Sequence, residues 1–556
     1  MSPNYFVECL DCGHTTPYNP AITTCEKCGS GWREARYDYE TIGKSLPAQL
    51  SSRPFNLWRY RELLPVTQPN RDLSLGEGGT PLLRAVNLGM MLGCPNIYIK
   101  DERQGPTTSF KDSQAAVTVA ALKEAGITEM VVASTGNVAI SYSAYAARAG
   151  IKLWAFVTSL VPVEKMREVA LYGTQVVKVT GSYDQAKQVA AEFARQRGLF
   201  LDQGVRTLPA VEAMKTLAYE ISEQLTGLLG PRPDGTWQTP DWYIQSVSGG
   251  MGPVGVLKGF SELHKMKLTT GVPKMGVLQA EGCAPMSNAW KQNLEKADPV
   301  QMPRTLIATL ATGDPGRTYT HLRQRMLEES GGWFDDVTDE EAFRAMHFLA
   351  KMEGISAEPA SAVAFAGLVK MVRAGVIKPT DTIVVNCTGH TMAIEQNILG
   401  EGWARNVVLP AGKAAESAPQ EGLLAALKSV SLDRYPRIAI VDDNPDVRRL
   451  IRRILQSQGN YTLFEATNGR EAVDLAQQQH PDLIILDLMM PDMDGFSVLD
   501  ALQTRPDTTD IPVIVVTAKE LTADEKERLQ GHIQSLMQKG DFMSDELLDE
   551  VRALLR

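Results

Sequence analysis

Gly105-Pro-Thr-Thr-Ser-Phe-Lys-Asp112 is the stretch on which the fold turns. A short apolar run, Ile97-Tyr-Ile-Lys100, stands before it and a helical pattern, Ser113–Ala125, behind it, so a lysine sits where a strand hands over to a helix through a loop of small residues. A partly desolvated lysine at such a point has a lowered pKa and can attack an aldehyde. The same handover recurs along the chain. Ser134-Thr-Gly-Asn137 follows Met130-Val-Val-Ala133, placing small hydroxyls and a helix N-terminus where an anion can be held. Ser246-Val-Ser-Gly-Gly-Met-Gly252 is a glycine-rich turn whose backbone N–H groups can close around a phosphate, and Asn386-Cys-Thr-Gly389 follows Ile383-Val-Val385. With further strand-like runs at Leu153–Val157 and Val176–Val179 and a helical one at Tyr183–Arg197, residues 46–408 read as a largely parallel α/β sheet with its ligands at the strand C-terminal ends.

Outward from this region, Cys9-Leu-Asp-Cys12 and Cys25-Glu-Lys-Cys28 lie in residues 1–45, each pair followed by a glycine, Gly13 or Gly29. Two such turns present four thiolates to one tetrahedral Zn²⁺, and a site filled by four protein ligands is structural. The metal lets a short segment fold without a core of its own. Residues 409–435 shift to Ala, Pro, Ser and Gly around an amphipathic piece, Leu423–Val430, and read as a linker.

A second strand–helix alternation fills residues 436–556, with strands at Arg437–Val441, Tyr461–Ala466, Leu483–Leu486, Pro512–Val516 and Ser535–Gln538. Asp442 and Asp443 follow its first strand and Asp487 its third; acids converging at one sheet edge repel unless a cation such as Mg²⁺ sits among them. Thr517 and Lys539 end the fourth and fifth strands, a hydroxyl and an ammonium where a phosphoryl group needs donors.

Composition bounds the rest. A chain of 556 residues exceeds one hydrophobic core, so about three or four domains are expected. It is 44% hydrophobic and 22% charged, and no apolar run approaches the ~18–20 residues that span a bilayer. The N-terminus has neither a basic leader nor an apolar core, so a cytoplasmic location is expected. A net charge of −10 and a pI near 5.4 argue against nucleic acid as a partner. The odd total of seven cysteines, without a framework of spacings, suits a reducing compartment.

SFKD, STGN, SGGMG, QAEG, SAEPAS and NCTGH, in this order over residues 50–400, resemble the fold-type II, tryptophan-synthase-β-like pyridoxal-phosphate enzymes, and within them the threonine synthase branch, versions of which carry a zinc-ribbon-like segment. The resemblance implies pyridoxal 5'-phosphate bound as a Schiff base to Lys111, which then shuttles protons. It implies Asn137 at the pyridine hydroxyl, Ser248, Gly249, Gly250, Met251 and Gly252 around the cofactor phosphate, and Thr388 at the ring nitrogen. A neutral hydroxyl there tempers the electron sink and suits elimination and replacement better than transamination. The implied reaction is a lyase's: O-phosphohomoserine and water give threonine and phosphate. Where related synthases place Asn, Ser and Arg for the substrate phosphate, this chain has Gly204, Val205 and Ala210. Arg206, Ser134 and Thr135 are the substrate-binding candidates. His390, Glu281 and Glu358 read as packing or supporting residues. A homo-oligomer, dimer or higher, is implied by the resemblance alone.

Residues 437–556, with the MMPDMDG loop at Met489–Gly495 as a second signature, resemble the flavodoxin-like receiver domains of response regulators. That implies phosphorylation of Asp487 by a sensor histidine kinase, Mg²⁺ on Asp443, Asp487 and the Met489 carbonyl with Asp442 acting through water, and a switch made by Thr517 and Lys539. Leu536 stands where the family has a switch aromatic, and Gly540 replaces its common proline. No DNA-binding module follows before Arg556, so transcriptional control is not expected. Three functions are compatible with these motifs: a threonine synthase-like lyase regulated by receiver phosphorylation, a related lyase or synthase acting on another amino acid, and a non-catalytic sensor of pyridoxal phosphate or an amino acid.

Overall fold

The computed structural model describes residues 5–67, 69–134, 136–158, 163–180, 183–390, 436–458, 461–519, 521–529, 531–538 and 544–555; the linker at 409–435 lies outside them. Two compact units result: Met1–Ala85, Asn96–Met346 and Ser356–Ile394 form the first, and Val86–Pro95, His347–Ile355 and Glu395–Arg556 the second.

In the first unit, β1 (Tyr5–Cys9), β2 (Thr15–Thr16) and β3 (Arg33–Tyr37) make an antiparallel sheet in the order β2-β1-β3. The α/β part holds two sheets, where the alternation by itself suggested one. The larger sheet contains β4 (Leu82–Arg84), β5 (Ile97–Asp101), β10 (Trp242–Ser246), β11 (Lys274–Ala280), β12 (Gly332–Val337) and β13 (Ile383–Cys387) in the order β12-β11-β10-β13-β5-β4. Its pairings are parallel except β4 with β5. The smaller sheet is wholly parallel: β8 (Gln175–Val179), β7 (Lys152–Thr158), β6 (Glu129–Ser134) and β9 (Phe200–Leu201), in that spatial order. Every residue of β5, β10 and β13 is buried, as expected of central parallel strands covered on both faces. The helix Lys111–Glu124 is buried from Asp112 to Leu122; its alanines let it pass close to its neighbours with little loss of side-chain entropy.

A buried ionic network ties β3 to this core. Glu212 and Lys215 meet Lys258 and Glu262 from the helix Met251–Lys265, with Lys215 Nζ 2.5 Å from Glu212 and 3.0 Å from Glu262. Lys258 also pairs with both glutamates and donates to the Ala35 carbonyl at 3.0 Å, while the Tyr37 hydroxyl donates to Glu212 at 3.1 Å. Burial alone would raise the Glu262 carboxyl, but Lys215 and Lys258 prevail and hold it at about 2. Two lysines against two glutamates leave no net charge, which makes so dry a site tolerable.

The second unit carries a parallel sheet in the order β15-β14-β16-β17-β18: β14 (Arg437–Val441), β15 (Thr462–Ala466), β16 (Leu483–Leu486), β17 (Val513–Thr517) and β18 (Ser535–Gln538). This is the doubly wound, flavodoxin-like order. Alternation along β14 sends Ala439 and Val441 into one apolar layer with Phe496 and Leu499, and Ile438 and Ile440 into the other with Ile451, Ile454 and Leu455.

Lys258→Met leaves two buried glutamates sharing one lysine and is expected to cost about 3–5 kcal/mol. Denaturant melts followed by fluorescence test this; the charge-balanced pair Lys258→Met with Glu262→Met should lose less than Lys258→Met alone.

Candidate functional site

Three of the four loops meet because their strands end side by side, and the fourth follows β6 of the smaller sheet. β13 pairs with β5 and β10, so the segments following all three leave one sheet edge. The loop bearing Lys111 is stitched to the one after β13: Phe110 N donates to Thr388 O and His390 N to Thr108 O, both at 3.0 Å, and Glu358 N reaches Gly389 O at 3.1 Å. Thr108 takes φ +58°, unusual outside glycine, to make the turn. The Asp112 carboxylate accepts from Thr107 N at 2.9 Å and Thr107 Oγ1 at 2.5 Å, and burial raises it to about 6.

These loops line a cavity of about 620 Å³ with Lys111, Ser134, Asn137, Asp202, Arg206, Ser248, Gly249, Gly250, Met251, Gly252, Glu358 and Thr388 on its walls. Of the sequence-derived site residues in this half, only Thr135 falls outside the described residues. Burial draws the Lys111 amine down to about 8, against Asp202 and Glu358, which pull it upward. Asn137 Nδ2 lies 3.0 Å from both Glu358 oxygens, and its Oδ1 accepts from Lys165 Nζ at 3.0 Å. Thr388 Oγ1 lies 2.8 Å from Ser361 Oγ. Ser134 Oγ accepts from Gly136 N at 3.0 Å and Ala139 N at 3.1 Å, capping the helix that begins at Asn137.

The glycine turn has the form of a phosphate cradle. Gly250, at φ +85°, caps the helix Met251–Lys265 with no side-chain cap hydrogen bond. A Cβ there would stand 2.8 Å from Thr318 Cγ2, one at Gly252 would strike the Gln245 carboxamide, and one at Gly249 would meet nothing within 4 Å. Close walls, an open face and a helix N-terminus suit a phosphate monoester. An amine, a phosphate cradle and neutral hydrogen-bonding side chains around one cavity therefore fit pyridoxal phosphate.

Glu358, set aside as supporting in the sequence, is 6% exposed and at the centre of the site; Lys165, 7% exposed, and Asp202 went unrecognised. Glu358 was legible in the SAEPAS motif, whereas nothing near Lys165 marks it. His390, read in the sequence as a packing residue, is exposed.

The four cysteine sulfurs lie within 4.8 Å of one another, with Cys9–Cys28 at 3.6 Å and Cys12–Cys25 at 3.7 Å. A tetrahedral metal with ~2.3 Å bonds to sulfur spaces its ligands about 3.8 Å apart, so the set can hold Zn²⁺. In the second unit, carboxylate oxygens of Asp442, Asp443 and Asp487 also gather within 4.8 Å, Asp442 and Asp487 buried and Asp443 exposed. Met489 N donates to Asp487 Oδ1 at 3.1 Å, and the Thr517 hydroxyl is buried at the end of β17, accepting from Lys519 N at 3.2 Å. Lys539 lies outside the described residues.

Fold and site define an α/β pyridoxal-phosphate enzyme of fold type II joined to a phosphoacceptor-type receiver. The family model for the pyridoxal-phosphate dependent enzymes matches residues 73–389, and that for the response regulator receiver domain matches residues 438–552. The threonine synthase of Methanocaldococcus jannaschii is 36% identical over 384 residues, 69% of this chain and 91% of that one. The threonine synthase of Halalkalibacterium halodurans is 33% identical over 335 residues, 60% of this chain and 88% of that one. Among solved structures, a holo diaminopropionate ammonia lyase from Escherichia coli superposes with a TM-score of 0.51 at 15% identity, over 66% of this chain and 93% of that one, a likeness of fold. The chain belongs to the pyridoxal-phosphate dependent enzymes, as a lyase of the threonine synthase family carrying a C-terminal receiver domain. Among the described residues no helix is long and apolar enough to cross a membrane.

With its amine at about 8, Lys111 is mostly protonated at lower pH and free above it. Covalent capture of added pyridoxal phosphate by the apo-protein should rise with pH and be half-maximal near about 8. Asp202→Asn removes a group that raises this pKa, so it should move the midpoint to lower pH; stopped-flow absorbance measures both.

Proposed function

We propose that this chain converts O-phosphohomoserine and water to threonine and phosphate, and that phosphorylation of Asp487 adjusts that activity. The single cavity that gathers Lys111, Asn137, the glycine turn, Thr388 and Arg206 supports the reading most strongly. Pyridoxal phosphate, when bound, supplies the electron sink for charge developing on the substrate carbons. Lys111 holds the cofactor and, as a free amine, moves the proton of the substrate α-carbon. Gly249, Gly250 and Gly252, with Ser248 and Met251, hold the cofactor phosphate. Asn137, braced by Glu358 and Lys165, would hold the pyridine hydroxyl, and Thr388 would meet the ring nitrogen. In the net reaction the γ C–O bond breaks and phosphate departs; the γ-carbon ends as a methyl group, and the hydroxyl of water joins the β-carbon. Arg206 and Ser134 serve the substrate. Positioning and exclusion of water are the protein's contribution.

Zn²⁺ on Cys9, Cys12, Cys25 and Cys28 is structural in this proposal. Mg²⁺ on Asp442, Asp443, Asp487 and the Met489 carbonyl prepares Asp487 for a histidine kinase, with Thr517 and Lys539 as the switch. One observation favours a second reading, a related lyase for another amino acid: Gly204 and Val205 line the cavity without side-chain donors, and Ala210 is fully buried.

Phosphate release from O-phosphohomoserine, with threonine as co-product, tests the reaction. Lys111→Ala should abolish it, and borohydride should no longer fix the cofactor to the chain; release from another phosphorylated or acylated amino acid alone would favour the second reading. For the receiver, a small phosphoryl donor should change the kinetics or the native mass of the wild-type chain and leave Asp487→Asn unchanged. Identical behaviour of the two would remove the regulatory proposal.

A further inference from the structure

The cysteine module makes contacts that reach the cavity of the first unit. Asp11 lies between two of the clustered cysteines, in a turn pinned by Cys9 N to His14 O and Gly13 N to Cys9 O, both at 2.9 Å. Its carboxylate takes both terminal nitrogens of Arg317, at 2.8 and 2.7 Å, across 306 residues of sequence. Trp32 follows the second cysteine pair. Its carbonyl accepts from Leu10 N at 3.0 Å, which joins the two cysteine turns, and its ring lies 5.3 Å beneath the Arg317 guanidinium. Both Trp32 and Arg317 are on the wall of the cavity that holds Lys111. Arg317 also immediately precedes Thr318, the residue pressed against Gly250 of the phosphate cradle. On the same side the stem of Arg206 packs on Gly31, where a Cβ would stand 3.2 Å from Arg206 Cδ. Two guanidiniums at one cavity are thus placed by two turns that a single metal would hold together.

We infer that the four-cysteine module is part of the substrate pocket, with Asp11 a positioning residue that sets Arg317, beside Trp32 and Arg206, to receive the anionic end of an amino-acid substrate. A planar fork gripped by a carboxylate is held at a defined place, where a free arginine on an exposed loop would sample many. The inference rests on the proposed phosphorylated substrate and deepens it by assigning where the phosphate is recognised.

The test uses the full-length holoenzyme and four variants, Asp11→Asn, Asp11→Glu, Arg317→Lys and Trp32→Phe. Asp11→Asn is expected to raise the KM for O-phosphohomoserine and the inhibition constant of inorganic phosphate together by about threefold to tenfold, while kcat changes less; the scale follows from a partly exposed ion pair. Asp11→Glu should recover most of the loss, and Arg317→Lys, which keeps charge without the fork, should not. A second readout needs no turnover. Inorganic phosphate should change the fluorescence of the wild-type chain, a change absent in Trp32→Phe and weakened when a chelator removes the bound metal. Unaltered KM and phosphate inhibition in a folded Asp11→Asn protein overturn the inference, as does a phosphate response that persists in Trp32→Phe and after chelation. If the wild type releases no phosphate from O-phosphohomoserine yet the Trp32 response is present, the substrate assignment fails and the module's role as a wall of the anion site stands.

Discussion

The backbone lacing between the loop bearing Lys111 and the segment after β13 is the constraint on which the rest of the first unit depends. Two hydrogen bonds, Phe110 N to Thr388 O and His390 N to Thr108 O, bind segments some 280 residues apart in sequence, and Glu358 N to Gly389 O ties the residue before the helix Pro359–Arg373 to the same segment. They form because β5 and β13 are neighbouring parallel strands whose C-terminal ends fall together. Buried backbone groups must find partners, so the loops leaving those strands satisfy one another and the side chains they carry have little freedom. The positive φ of Thr108 is the local strain this arrangement tolerates.

Charge inside the first unit is handled in two ways. Around the cavity, burial lowers the Lys111 amine to about 8 against the pull of Asp202 and Glu358, the condition a nucleophile needs. Elsewhere, Glu212, Lys215, Lys258 and Glu262 are buried but matched two against two, so their charges offset one another while they tie the cysteine module to the α/β core. Burial lowers both Lys111 and Lys215, whereas Glu212 and Glu262 raise Lys258 against its burial.

The second unit solves a related problem with the opposite sign. Asp442, Asp443 and Asp487 converge at the C-terminal edge of a parallel sheet because β14 and β16 are adjacent and in register from Ile438–Leu483 to Val441–Leu486. Two of the three acids are buried, a costly grouping that only a cation or a protein donor relieves; Met489 N and Asn444 N supply part of that relief.

Much of this was legible in the linear chain. The strand–loop–helix handovers at Lys111, Asn137 and Gly249 and the acids after two receiver strands are local patterns, and local patterns survive in sequence because each needs its own residue types at its own spacing. The cysteine pairs belong with them, since a metal demands its ligands whatever surrounds them. What the chain order concealed was contact between distant segments. That the α/β part holds two sheets depends on which strands pair, and alternation alone carries no pairing information. Glu358 and Lys165 reach Asn137 only because the chain folds back on itself, and the grip of Asp11 on Arg317 spans the cysteine module and a helix start with nothing in either segment to announce it. Local motifs therefore announced the two folds and, through the family they resemble, the cofactor class, whereas the tertiary structure alone decided which charges meet, because electrostatic energy depends on distance in space and not on separation along the chain.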